Sequence, residues 1–168
     1  MITASALISC LGLKPLSQEG GYYAETYRSE GSIPANALAE AYGSTRSLAT
    51  AIYYLVTPDS FSFMHRLPSD EVFHFYLGDP VEMLQLYPDG SGRAITLGAD
   101  VMNGMHPQAP VRGGVWQGLR LAPGGSFALL GTTVSPGFDF ADYEHGSREK
   151  LLAQYPAFTE RIIALTRR

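Results

Sequence analysis

Phe61-Ser62-Phe63-Met64-His65-Arg66-Leu67-Pro68-Ser69-Asp70-Glu71-Val72-Phe73-His74-Phe75-Tyr76-Leu77-Gly78 is the stretch on which the fold turns. It holds two short runs rich in aromatic and apolar side chains, parted by Pro68-Ser69-Asp70 and closed by Gly78. Successive side chains of a strand point to opposite faces. Phe61, Phe63, His65 and Leu67 are therefore expected on one face of the first run, and Glu71, Phe73 and Phe75 on one face of the second. With both faces turned inward, His65 and Glu71 meet in an aromatic-walled cavity. A carboxylate there loses part of its hydration, and an imidazole is a natural partner. Such a pair suits proton transfer or metal ligation. The plainer reading is a His–Glu hydrogen bond that orders the turn. His74 falls on the opposite face, where sheet packing or a subunit contact accounts for it.

Similar runs recur at short intervals along the rest of the chain. Residues 22–28, 48–57, 81–87, 93–97, 115–121 and 126–134 read as further strands. Pro58-Asp59, Gly78-Asp79-Pro80, Pro88-Asp89-Gly90-Ser91-Gly92 and Pro123-Gly124-Gly125 separate them, and the third of these is a strong hairpin turn. Residues 29–47 are small and polar and read as a flexible loop. The ends differ. Residues 3–11 have helical character, with Leu7, Ile8 and Leu11 on one stripe and Gly12 as C-cap. Ser147 is expected to cap a tail helix that Pro156 interrupts. The reading is an all-β antiparallel fold with short N- and C-terminal helices, one domain over residues 1–168, and a core including Phe63, Phe73, Phe75, Leu84, Trp116 and Leu129.

Composition removes several classes of function. The formal net charge is −4, and no basic run exceeds Arg167-Arg168, so a nucleic-acid partner has no electrostatic footprint. No stretch approaches the ~18 apolar residues of a bilayer span, and the start lacks a signal-peptide pattern; a cytoplasmic protein without a membrane partner is expected. Cys10 is the one cysteine. It excludes an internal disulfide and reads as a small buried hydrophobe on the first helix. No Gly-x-Ser-x-Gly or strand–Gly-rich–helix pattern points to a hydrolase or a dinucleotide site.

The spacing of His65, Glu71 and Gly78 resembles the first motif of the cupin superfamily, in which a second histidine stands where this chain has Leu67. The segment Arg112-Gly113-Gly114-Val115-Trp116-Gln117 is similar to the second motif, with Gln117 in place of its histidine. The likeness is closer to the single-domain cupin-5 branch. It is carried by Glu19-Gly20-Gly21-Tyr22-Tyr23 with Glu25, Tyr27 and Arg28, by Asp70, Glu71, His74, Phe75 and Tyr76, by Gly114-Val115-Trp116, and by Val134-Ser135-Pro136-Gly137-Phe138-Asp139-Phe140. It implies a cupin jelly roll, that is, an antiparallel double-stranded β-helix, and a homodimer. It also brings a distant likeness to epimerases of the superfamily that use an acid–base pair in the barrel without metal. With Leu67 and Gln117 at two ligand positions, no tightly bound metal and no other cofactor is expected.

The expected function is binding of a small polar or carbohydrate-like molecule, with metal-independent isomerisation or epimerisation as the candidate reaction. The alternatives are a non-catalytic binding module and, with less support, a metal-dependent oxygenase or isomerase. His65, oriented by Glu71, is the candidate base, because an imidazole ordinarily titrates at about 6.5. Tyr22 is the candidate acid, with Tyr27 as a substitute. Arg28 is the candidate anion holder. Glu25, Tyr53, Phe63, Phe73, Phe75, Gln85, Trp116 and Gln117 complete the expected ligand-binding set.

Overall fold

The computed structural model describes residues 2–167. A short helix α1 (Ala4–Leu11) opens the chain. Thr3 caps it by accepting the Ala6 N–H at 3.2 Å, and Gly12 ends it with φ of 63°, the left-handed turn that favours glycine. Thirteen strands follow: β1 (Lys14–Pro15), β2 (Tyr22–Arg28), β3 (Ser32–Ile33), β4 (Arg46–Ser47), β5 (Thr50–Val56), β6 (Ser62–Arg66), β7 (Asp70–Gly78), β8 (Val81–Leu86), β9 (Gly92–Leu97), β10 (Gln108–Val111), β11 (Trp116–Leu121), β12 (Ala128–Ser135) and β13 (Glu144–His145). Helices α2 (Arg148–Gln154) and α3 (Thr159–Ala164) close it, with Pro156 starting the 3-10 turn between them.

Two sheets face each other. One has the order β1-β2-β5-β12-β7-β10, the other β13-β6-β11-β8-β9, and every ladder in both is antiparallel. Between them Val56, Phe73, Leu130, Met83, Leu97 and Leu119 pack as the main core. The outer faces are covered as well. Helix α1 lays Leu7, Ile8 and Leu11 over Leu55 and Leu129 of the first sheet. On the second sheet, Leu151, Tyr155 and Ile162 cover Met64, Leu84 and Leu86. Full burial of side chains such as Leu151 and Ile162 stabilises by about 1.5–3 kcal/mol each, so the C-terminal helices are integral to the fold, while Leu7, Ile8 and Leu11 of α1 are only partly buried and contribute less.

The all-β architecture with helical ends matches the sequence expectation, and most strand boundaries fall within two residues of it. Four details differ. Residues 29–47 are not a bare loop: β3 pairs with β4, and Arg46 at the end of this segment is buried. Strands β1, β10 and β13 fall outside the expected runs; all three lie at sheet edges, where the missing N–H of Pro110 in β10 is tolerated. Cys10 is exposed, since α1 turns Leu7, Ile8 and Leu11 inward. Of the expected core, Phe73, Leu84 and Leu129 are buried, while Phe63, Phe75 and Trp116 are only half-buried.

Candidate functional site

Beside the main core, the first sheet and Leu67, which follows β6, line a cavity of about 280 Å³. Three neighbouring strands of the first sheet supply much of its wall: Tyr23, Glu25 and Arg28 from β2, Thr50, Ile52 and Tyr54 from β5, Thr132 and Val134 from β12. Glu71 reaches it from β7, Leu16 and Glu19 from the turn between β1 and β2, and Phe138, Asp139 and Phe140 from the segment after β12.

Glu19 owes its position to the two glycines behind it. Gly20 has φ of 99°, and a Cβ there would overlap the Phe61 carbonyl oxygen. Gly21 has φ of 72°, and its Cβ would lie 2.7 Å from the Tyr54 ring. Both positions therefore require glycine. The tight passage lets Phe63 N–H bond the Glu19 carbonyl at 2.9 Å and sends the Glu19 side chain inward, where Ser62 donates to its Oε1 at 2.9 Å.

Glu71 joins the cavity to a buried polar cluster. Gln117 donates from Nε2 to Glu71 Oε2 at 2.5 Å, and the same nitrogen lies 3.4 Å from His65 Nε2. His65 Nδ1 lies 2.8 Å from the Phe63 carbonyl, which can only accept, so Nδ1 carries a proton, while Nε2 faces Gln117. Glu19 Oε2 sits 3.8 Å from that Nε2. Tyr143 stacks on the imidazole, with centroids 5.2 Å apart and planes at 21°. Burial, and then the nearby charge of Glu19, push the Glu71 carboxyl up to about 7; His65 and the Gln117 hydrogen bond oppose this only in part. Burial and Glu19 likewise push the Tyr54 hydroxyl well above its ordinary value, and that hydroxyl donates to the Gly20 carbonyl at 2.9 Å.

The structure brings Glu25, Arg28 and Glu71 to the cavity wall, with His65 and Gln117 behind Glu71. It changes several expected roles. His65 does not bond Glu71; Gln117 stands between them. Tyr22 and Tyr53 lie on the outer face of the first sheet beside α1, and their neighbours Tyr23 and Tyr54 face inward instead. Tyr27 is exposed, because β2 shifts register between Glu25 and Tyr27; this bulge is also why Glu25 and Arg28, three apart, both line the cavity. A second register shift separates the pairs Gln117–His65 and Leu119–Ser62, so that Ser62 as well as His65 reaches Glu19, while Phe63 packs against Phe61 under Arg167. Phe73 belongs to the main core and Phe75 packs at its edge. Trp116 packs on the α2–α3 side beneath Arg66. The polar atoms of Gln85 are engaged with Pro110, Tyr87 and Arg93. Arg28 is held by Glu25 through two hydrogen bonds of 3.0 and 2.7 Å, which neutralise it as an anion holder. Most of the wall was absent from the expected set, including the polar or aromatic Glu19, Tyr23, Tyr54, Phe138, Asp139 and Phe140. Glu19 carried a signal, the Gly20-Gly21 that follows it.

Residues 5–146 match the family model described as the Cupin superfamily (DUF985). The chain belongs to this family. The cupin is 35% identical to the uncharacterized protein YML079W of Saccharomyces cerevisiae over 134 residues, 75% of this chain and 67% of the yeast protein. Among solved structures it is similar to a hypothetical protein from Leishmania major, with a TM-score of 0.89, 33% identity and coverage of 99% of this chain and 100% of that one. Protein SO0799 from Shewanella oneidensis superposes with a TM-score of 0.87 at 34% identity, covering 99% of both chains. Oxalate decarboxylase from Bacillus subtilis superposes with a TM-score of 0.51 at 12% identity, over 88% of this chain and 35% of that one, a likeness of fold alone.

Cupin folds commonly hold a divalent metal on imidazoles and a carboxylate. The donor set here does not fit one. Leu67 has no donor atom, and Gln117 turns an N–H, not an oxygen, toward Glu71 and His65. Among the described residues no group of three or more His, Cys, Asp or Glu is placed to hold an ion. Protein purified without added metal is expected to carry iron, manganese, nickel or zinc well below one equivalent by plasma mass spectrometry; a value near one per chain would overturn this. No helix among the described residues is long and apolar enough to cross a membrane.

Proposed function

We propose that this cupin binds a small polar molecule in its barrel cavity and moves a proton on it without metal, in an isomerisation or epimerisation, with Glu71 as the proton-transferring group. The observation that carries the reading is Glu71 itself: a buried carboxyl, on the cavity wall, pushed up to about 7 by burial and by Glu19. A general acid–base works best when its pKa lies near the operating pH. The Gln117 amide fixes the carboxyl's orientation, and His65, held by the Phe63 carbonyl, supports Gln117 from behind. The aromatic walls supply apolar contact, which with few convergent polar groups is the usual form of a small-molecule site.

One observation favours a non-catalytic binding module as the second reading. Epimerisation needs a proton donor and an acceptor on two sides of the substrate. The phenol expected for the second role, Tyr22, faces away, and the inward Tyr54 hydroxyl is engaged with Gly20. Tyr23 is the remaining phenol on the wall. The experiment is a search for bound small molecules by native mass spectrometry, followed by turnover and affinity in wild type and Glu71→Gln. Loss of turnover by about 10²–10⁴-fold with affinity lowered no more than several-fold supports the enzyme. A ligand that binds both proteins and is never converted leaves the binding module.

A homodimer belongs to the same proposal. The outer face of the first sheet carries the stacked pair His74–Tyr76, with Tyr53 set edge-on to Tyr76, and Tyr76 and Tyr27 stand about half exposed. Sedimentation at micromolar concentration is expected to give twice the 18.2 kDa chain mass. A species of single-chain mass alone would refute it.

A further inference from the structure

We infer that the molecule this cavity accepts is hydroxylated and carries an ammonium group. The inference rests on the reading of the cavity as the ligand site. It starts from charge. Among the described residues, Glu19, Glu25, Glu71 and Asp139 line the cavity, against the single cation Arg28. Glu25 already holds that guanidinium through two hydrogen bonds, and the Phe138 carbonyl takes a third at 3.2 Å. An anionic ligand would have to displace Glu25 and then sit beside Asp139. The interior therefore presents carboxylates without a free positive partner.

The hydrogen-bonding inventory points the same way. Glu71 Oε2 takes the Gln117 amide, and Glu19 Oε1 takes Ser62. Glu19 Oε2 has His65 Nε2 at 3.8 Å, too far for a hydrogen bond. Behind Glu71 and outside the cavity lining, the buried Gln117 Oε1 has no donor either. The Tyr54 hydroxyl spends its proton on Gly20. Beside these acceptors the wall offers as donors the hydroxyls of Tyr23, Thr50 and Thr132, of which Thr132 already bonds Glu71, and a buried acceptor without a donor costs roughly 1–3 kcal/mol. Ammonium and hydroxyl groups bring the missing donors. A cation beside Glu71 and Glu19 also turns their mutual repulsion into attraction for both. Tyr23, Phe138 and Phe140 add aromatic rings to the lining, and aromatic rings attract a cation placed over them. The volume of about 280 Å³ limits the ligand to about the size of a monosaccharide.

The test uses three probes that share one ring and differ in charge: glucosamine, glucose and glucuronate. Each is titrated at neutral pH into labelled full-length protein, and backbone amide shifts are followed at Tyr23, Ile52, Glu71 and Thr132. Glucosamine is expected to move these signals with at least about tenfold higher affinity than glucose, with glucuronate weakest. Glu71→Gln and Glu19→Gln are each expected to reduce the preference for the amine several-fold. Glucose or glucuronate binding more tightly at these same signals would overturn the ammonium inference and leave the cavity as the site. If none of the three moves them, or glucosamine moves only signals elsewhere, both the site and the inference fall.

Discussion

Arg46→Ala is expected to lower the stability of the fold by about 3 kcal/mol, at the low end for a buried ion pair that loses one member. Arg46 and Asp142 form such a pair, with both side chains 3% exposed. The guanidinium donates to both carboxylate oxygens, at 2.7 and 2.5 Å, and its remaining nitrogen reaches the Ser44 carbonyl and hydroxyl and the Thr45 carbonyl. Removing the arginine leaves Asp142 buried without a partner, and the Ser44 and Thr45 carbonyls lose a donor. For a chain of this length the loss corresponds to roughly 6–12 °C in Tm. Arg46→Lys is expected to rescue little, because an ammonium cannot make the paired contact. The functional link is Asp142, which fixes the segment that carries Phe138, Asp139 and Phe140 onto the cavity wall. Thermal and urea unfolding measure the effect. A fall in Tm of less than about 2 °C would show that the pair contributes little and that the wall is held by other contacts.

The sequence showed the strands because proline and glycine mark their ends. It showed less well which side chains turn inward, and the reasons are local. In β5 both faces are covered, one by the main core and the other by α1, so Tyr53 and Tyr54 are equally compatible with alternation. In β2 and β6 a register shift changes the parity midway, so that simple counting retains Glu25 and His65 but misplaces Tyr27 and Phe63. The ion pair of Arg46 and Asp142 joins residues 96 positions apart and leaves no mark on either neighbourhood. Glu19 lies outside any strand, where alternation does not apply. What could have located it is the demand for glycine at Gly20 and Gly21: two adjacent left-handed residues mean that the chain passes close to something, and here that is β6 and the ring of Tyr54.

Glu71→Gln is expected to make the protein more stable at pH 8 while removing the proposed proton-transfer activity. The native carboxyl is pushed up to about 7 from an ordinary 4.5. Below about 4.5 the group is neutral in both the folded and the unfolded chain and has no effect on the balance. Between the two values the folded chain holds a proton that the unfolded chain has released, so stability falls as pH rises through this window. Above about 7 the full cost is present, roughly 3 kcal/mol for a shift of this size. A glutamine carries no charge to desolvate, and its oxygen still accepts from Gln117. It loses the charge-assisted part of that bond, so the net gain at pH 8 is expected to be about 1–3 kcal/mol. Other groups slope differently. Burial and the charges of Arg167 and His65 hold the His145 imidazole below its ordinary value, which reduces stability as pH falls instead. The quantity to measure is therefore the difference between variant and wild type in urea unfolding, taken at intervals from pH 4.5 to 8. That difference should be near zero at the acid end and grow steadily toward the alkaline end. A flat difference would mean that Glu71 titrates as an ordinary carboxylate. It would then sit ionised in the cavity at neutral pH with no proton to give, and the proposed acid–base role would lose its basis.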